Sequence, residues 1–302
     1  MITLLSGLRS SLRMVPFATA LLLWAAAPSS AQTDITGIWA TQMHEDQPHR
    51  VPGADLGDYT GLPINQAARQ KASSWDASVL SLPERMTQPH PAQYFMWGPG
   101  PDMRIQSRVD PVTGAVVAYT IEGVFGRDDR IIWMDGRPHP SPNSERLWEG
   151  FSTGRFVRNQ LVVTTTHMKF GTLQRNGVPA SPRATLTEYF MRHGDMLTLM
   201  SVLDDPAYLE EPMIRTSHWM MSSTLRPDER WTFEVVDEIA NREAGVVPHH
   251  ELGAKQDKFA LSHNIPFEAT QGGRETIYPE YELKLRELIR QAAKAPASEK
   301  RQ

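Results

Sequence analysis

Ala184-Thr-Leu-Thr-Glu-Tyr-Phe-Met-Arg192, then His193-Gly-Asp195, then Met196-Leu-Thr-Leu-Met-Ser-Val-Leu203, is the stretch that decides the fold. Both flanks alternate and are rich in β-branched and aromatic residues, as half-buried strands require. The Gly-Asp pair between them is turn chemistry. The same rhythm extends outward in both directions. Strands are expected at Tyr94–Trp97, Met103–Val109, Ala115–Phe125, Arg130–Met134, Leu147–Ser152, Gln160–Lys169, Met213–Met220 and Arg230–Val236. Asp110-Pro, Asp135-Gly, Arg158-Asn-Gln and Asp204-Asp-Pro punctuate them. Many short strands without alternating helices predict a mainly β fold, a lipocalin-like antiparallel β-barrel or a related sandwich.

Two other segments interrupt that pattern. Met43–Pro91 is rich in Pro, Gly and His, with one helical patch on Ile64, Ala68, Lys71, Ala72 and Trp75 that Asn65 can cap. A long ordered insertion of this kind is expected to form a lid over one barrel mouth. Val246–Pro279 is irregular, and Tyr281–Ala295 is an amphipathic C-terminal helix with Leu285, Leu288, Ile289 and Ala292 on one stripe.

The N-terminus reads as an export signal. Arg9 and Arg13 precede an apolar run, Val15–Ala27, and Ser29-Ser30-Ala31 supplies small residues for cleavage. The run is shorter than the roughly 20 residues that span a bilayer, so stable membrane insertion is not expected. The division is then 1–31 signal peptide, 32–237 barrel domain with the insertion 43–91, and 238–302 tail. The expected location is the periplasm. The chain has 302 residues, with 31 basic against 35 acidic side chains. Removing the two leader arginines leaves 29 against 35, a balance of −6. No basic cluster marks a nucleic-acid partner. There is no cysteine, which removes disulfides, thiolate metal sites and cysteine nucleophiles. The oligomeric state is left open.

Resemblance narrows this reading slightly. The chain carries Arg130-Ile-Ile-Trp-Met-Asp-Gly-Arg-Pro-His-Pro140, Gly150-Phe-Ser-Thr-Gly-Arg155, Leu161-Val-Val-Thr-Thr-Thr-His-Met-Lys169, Arg175-Asn-Gly-Val-Pro179 and Tyr278-Pro-Glu-Tyr281. In these it resembles a family of exported bacterial proteins usually labelled hypothetical; the likeness implies export and brings no activity. Phe156-Val-Arg-Asn159 departs from the Trp-Glu-Gly-Asp that the family tends to show there. Gly37-Ile-Trp39 on the first strand also resembles the opening of lipocalin and calycin barrels, where the Trp plugs the barrel floor. That resemblance implies binding of an apolar ligand in the lumen, and for some relatives hydration, cyclisation or isomerisation of it.

Three sets of residues could carry chemistry. If Gln160–Lys169 is one unbroken strand, Leu161, Val163, Thr165, His167 and Lys169 share a face. Lys169 would then depress the His167 pKa and favour a neutral base. Asp135, Arg137 and His139 surround a turn after Trp133, where Arg137 could bind an anionic group. Glu188 stands between Leu186 and Phe190 on a strand expected beside His167, so a Glu188–Lys169 or Glu188–Arg175 pair is foreseen. Each set has a bland counterpart: a solvated rim, a turn cap with a structural ion pair, a structural salt bridge.

Other templates are weaker. Gly150-Phe-Ser-Thr-Gly154 has G-x-S-x-G spacing, but strands rather than a helix follow it. No phosphate loop or dinucleotide fingerprint occurs. The ten histidines include adjacent His249 and His250, and none shows metal-ligand spacing. No cofactor and no metal are expected. The favoured function is binding of a hydrophobic or aromatic small molecule in a barrel pocket, with acid–base chemistry of lyase or isomerase type. His167, Lys169, Asp135 and Glu188 would be the catalytic group; Arg137, His139, Arg175 and Trp133 would hold substrate. The alternatives are a non-catalytic periplasmic carrier and a metal-assisted hydrolase.

Overall fold

The computed structural model describes residues 33–42, 54–74, 90–96, 102–123, 129–174, 176–225 and 256–294. The expected Arg230–Val236 strand and the leader lie outside them. Nine strands close into a barrel: β1 (Gly37–Gln42), β2 (Met103–Val109), β3 (Val116–Glu122), β4 (Arg130–Trp133), β5 (Phe151–Val157), β6 (Gln160–Thr166), β9 (Thr185–His193), β10 (Met196–Asp204) and β11 (Met213–Met221). Around the wall the order is β1-β11-β10-β9-β6-β5-β4-β3-β2. A separate ribbon pairs β7 (Gly171–Thr172) with β8 (Pro179–Ala180).

The odd strand number dictates one exception to the antiparallel rule. Directions around a closed wall can alternate throughout only if the number is even. With nine, one neighbouring pair must run the same way, and that pair is β4 and β5. It is also the thinnest seam, with only Ile132↔Ser152 and Trp133↔Thr153 in register. Because β5 follows β4 in the chain and runs parallel to it, the connection 134–150 must return along the outside of the barrel as a strap. Gly154 lets the seam close: a Cβ there would sit 2.7 Å from Met134 Sδ and 2.9 Å from Ile132 Cγ2.

Alternation decides what fills the barrel. Leu161, Val163 and Thr165 of β6 face Phe190, Glu188 and Leu186 of β9 in register, and all six are buried. Trp39, Met103, Ile105, Ile121, Leu197, Leu199 and Trp219 complete the same inner surface. Trp39 is fully buried, and its Nε1 donates to the Ile35 carbonyl at 3.0 Å. The Arg192 guanidinium lies 5.4 Å from the Trp39 ring centre and donates to the Asp34 carbonyl at 2.6 Å. The segment before β1 thus closes the end that carries the β9–β10 turn.

The opposite end is covered by three excursions. Ile64 bridges to Leu209, Asn65 donates to the carbonyls of Tyr208 and Ala207, and Glu210 N donates to the Pro63 carbonyl. Asn65 also caps α1 (Gln66–Ser73) by accepting from Ala68 N at 3.0 Å. The β7–β8 ribbon and the tail segment with α3 (Lys258–His263) join it there, and Tyr59 N donates to the Thr270 carbonyl. Tyr59, Leu62, Ile64, Leu173 and Val178 share one hydrophobic cluster with the inner barrel wall. The tail ends in α4 (Tyr281–Lys294).

Three expectations need correction. Ala92–Phe95, read in part as a strand, is a short helical turn, α2, which starts behind Pro91. The strand expected at Leu147–Ser152 begins only at Phe151 and runs on to Val157, since its middle, Gly154-Arg155, has weak strand propensity. The strand from Gln160 stops at Thr166, because His167 has φ +58°, a left-handed conformation that ends the pleat.

Candidate functional site

The last correction relocates the expected catalytic group. His167 does not continue the inner face of Leu161, Val163 and Thr165; its ring bonds Thr166 and the strap on the outside of the barrel. Lys169 likewise lies outside, its Nζ 5.0 Å from the Trp148 ring. Neither points into the lumen.

On that outer face the strap is fastened by two imidazoles. His139 Nδ1 lies 2.7 Å from Thr166 Oγ1 and its Nε2 2.9 Å from Thr153 Oγ1. His167 Nδ1 lies 2.7 Å from the same Thr166 Oγ1, and its Nε2 2.8 Å from the Ser141 carbonyl. A carbonyl can only accept, so His167 Nε2 carries the proton and Nδ1 accepts from the Thr166 hydroxyl. Thr166 then accepts from His139 Nδ1–H, and His139 Nε2 accepts from the Thr153 hydroxyl. The assignment is inferred from these partners. All four ring nitrogens then have a partner. The Phe151 ring meets His139 edge-on at 5.3 Å.

Burial, aided by the charge that His167 can carry, lowers the His139 pKa from its ordinary 6.5. A lowered folded value means that the unfolded chain takes up the proton more readily. The contribution to stability is therefore fully present above about pH 6.5 and declines as the pH falls toward the folded value. The melting temperature should be flat above that pH and fall below it. His139→Phe should remove this part of the slope, and an unchanged profile would assign the slope to other groups.

Asp135 and Arg137, at the start of the strap, and Trp133, at the end of β4, form a second surface group. Arg137 Nε donates to Asp135 Oδ1 at 2.9 Å, and its Nη2 to Oδ2 at 2.5 Å. The guanidinium stacks 3.5 Å from the Trp133 ring centre. The Asp135 carboxyl is held below its ordinary value by hydrogen bonding to Arg137. This is the structural ion pair that the Asp-Gly turn allowed.

Glu188 is paired, but not with Lys169, which lies outside the barrel. Its carboxylate takes two bonds from Arg130, Nη1 to Oε1 at 2.9 Å and Nη2 to Oε2. Arg130 Nη2 also donates to Thr165 Oγ1 at 2.8 Å, and Ser152 Oγ lies 2.8 Å from Thr165 Oγ1. Arg130 and Glu188 have no exposed surface. Arg130 on β4 also donates from Nε to Ser152 Oγ on β5 at 3.3 Å, so the network ties the thin β4–β5 seam from inside, while the imidazoles fasten the strap to β5 and β6 from outside. Arg130 was missed at the sequence level. The signal was available: Arg130 and Ile132 share a strand face, as Glu188 does with Leu186 and Phe190, and two opposite charges on apolar faces want each other. Arg175 lies outside the described residues.

Among the described residues no three His, Asp or Glu side chains stand close enough to hold a metal ion; His44, His49, His249 and His250 are outside them. No helix of the described residues is long and apolar enough to cross a membrane.

Two cavities lined by described residues lie among the excursions rather than in the barrel. An open cleft of about 460 Å³ is lined by Arg69, Glu210, Glu268, Gln271, Arg274 and Glu275. Its charges are largely engaged: Arg69 donates to the Ile64 carbonyl and Lys284 to Glu275. A second cavity, about 330 Å³, has a mixed lining of Asp58, Thr60, Gln174, Phe259 and Ile265. Its walls come from the insertion, from the tip of the β7–β8 ribbon and from the tail. Tyr59 locks the first to the third by donating to Gln256 Oε1 at 2.8 Å, and burial pushes its phenol up to about 12. Gly57 permits the approach, since a Cβ there would lie 1.9 Å from the Gln256 carbonyl oxygen. Asn176 fixes the ribbon tip with bonds from Nδ2 to the carbonyls of Asp55 and Asp58.

No family model matches the chain, and no curated protein and no solved structure resembles it at a significant level.

Proposed function

We propose that the chain is an exported small-molecule carrier whose ligand sits between the excursions that cover one barrel mouth. The observation that carries this reading is the 330 Å³ cavity between three separately connected walls, a size suited to a compact ligand. The lumen is a poorer host, since its axis is occupied by Trp39, Phe190, Trp219 and the Arg130–Glu188 pair.

Acid–base chemistry by the expected residues fits less well. A general base needs a nitrogen or oxygen within reach of substrate. Both nitrogens of His139 and of His167 are already bonded to protein groups, and the Glu188 oxygens belong to Arg130.

The test is a fluorescence titration of the exported chain with N-phenyl-1-naphthylamine, a neutral apolar reporter. Saturation at one reporter per chain, with micromolar affinity, is the expected result. Enhancement that rises without saturating would remove the carrier reading. Turnover of an aromatic or terpenoid substrate that is lost in His167→Ala would replace it with the acid–base one.

A further inference from the structure

We infer that the free edge of β5 docks an extended peptide of another protein, one that alternates apolar and acidic side chains. The edge lies toward the end that carries the β9–β10 turn, since Gln160, just after β5, pairs with Met191. The inference is therefore independent of the carrier reading, whose cavity is at the other end.

The edge exists because β4 stops short. Met134 N still donates to the Val117 carbonyl at 2.9 Å, and Gly136, at φ +74°, then turns the chain away into the strap. β5 runs on through Arg155, Phe156 and Val157. β3 and β5 flank β4, so beyond Met134 they stand two strand spacings, about 10 Å, apart. Hairpin parity decides what faces that gap. The two-residue turn Arg158-Asn159 follows the pair Val157↔Gln160, and such a turn closes on a hydrogen-bonded pair. Val157 and Arg155 thus bond to β6, and Phe156 directs its N–H and C=O the other way. Among the described residues nothing pairs with them, since the β4–β5 register ends at Trp133↔Thr153.

Side chains along the edge select the occupant. On the inner face the Phe156 and Tyr119 rings meet edge-on at 6.4 Å, and Val116 packs on the same core. An added strand meets apolar surface there. On the outer face stand Arg155 and, in the turn, Arg158, both exposed. Among the described residues neither guanidinium has a hydrogen bond or an ion pair. Asp135, where the strap leaves, is held by Arg137. Two unpaired cations, on a chain with 35 acidic against 31 basic side chains, call for an anionic partner. A strand alternates faces residue by residue, so the fitting pattern is apolar residues inward with Asp or Glu between them. Edge addition of this kind takes affinity from main-chain bonds and specificity from alternate side chains.

The probe is a fluorescein-labelled peptide, Thr-Val-Glu-Val-Glu-Val-Thr, titrated with the exported chain and read by fluorescence polarisation. It should saturate at one peptide per chain. The double variant Arg155→Gln with Arg158→Gly should bind it about fivefold more weakly; glycine accepts the φ of +56° at position 158. Lysine in place of both glutamates should weaken the peptide by at least as much. Two further peptides carry N-methyl groups on every valine or on every glutamate, and the one methylated on the edge that meets β5 should lose binding. At saturation the Phe156 amide should exchange its hydrogen about tenfold more slowly, with the Leu161 amide unchanged. The inference is overturned if the peptide does not saturate, which would leave the arginines as guards of an unused edge. It is equally overturned if the lysine peptide or both methylated peptides match the parent, or if Phe156 gains no protection. A chain that sediments as a dimer and is split by the peptide would assign the edge to a second copy instead, and would overturn it too.

Discussion

Glu188→Leu should lower the free energy of unfolding by about 3–5 kcal/mol. The change leaves the Arg130 guanidinium fully buried with no anion beside it. Ser152 and Thr165 still offer hydroxyls, but neutral oxygens do not balance a buried charge. The loss is a large share of a typical domain stability of about 5–15 kcal/mol. The double variant Arg130→Met with Glu188→Leu should recover most of it, because a buried ion pair and an apolar pair of similar volume are often close in energy. Urea unfolding followed by tryptophan fluorescence reads both. A single variant that costs under about 1 kcal/mol, or a double variant at the sum of two large losses, would remove the account of the network as a matched pair.

Trp39→Ala should cost a similar amount, about 3–5 kcal/mol. The indole is fully buried among barrel residues, and its N–H satisfies the Ile35 carbonyl. Removal opens a void at the end that the segment before β1 closes, and strands Arg192 without the ring beneath it. Trp39→Phe should lose less, keeping most of the volume but not the hydrogen bond. Reporter affinity in the folded Trp39→Ala protein should stay near that of the parent if the ligand sits at the opposite mouth. A large change in affinity would place the ligand in the lumen after all.

Much of the wall was readable because alternation is a strong local signal. β9 and β10 fall within a residue of their expected limits, and their turn sits at Gly194. The Asn65 cap and α1 were equally local. What failed was whatever depends on the third dimension. The parity of His167 was lost because nothing in Thr166-His167-Met168 announces a positive φ. The parallel pair was not foreseen because its cause is a property of the closed ring, the odd number of strands, and no single segment carries it. The partner of Glu188 followed from that same ring: Arg130 is 58 residues away and comes near only once β5 and β6 lie between their strands. The candidate cavity was invisible for a similar reason, since Asp58, Gln174 and Phe259 meet only when three distant loops dock.

The two-pair seam between β4 and β5 gives the barrel a line of weakness that a fully antiparallel ring would lack. Native proteins open in parts, at free energies well below that of global unfolding. Here backbone pairing is thinnest at Ile132 and Trp133, while β9 and β10 pair along their whole length. Deuterium should enter this wall first at β4 and last at the β9–β10 hairpin. That order would make β4 the one stave along which the barrel opens, with the Arg130–Glu188 network as the clasp across its inner side.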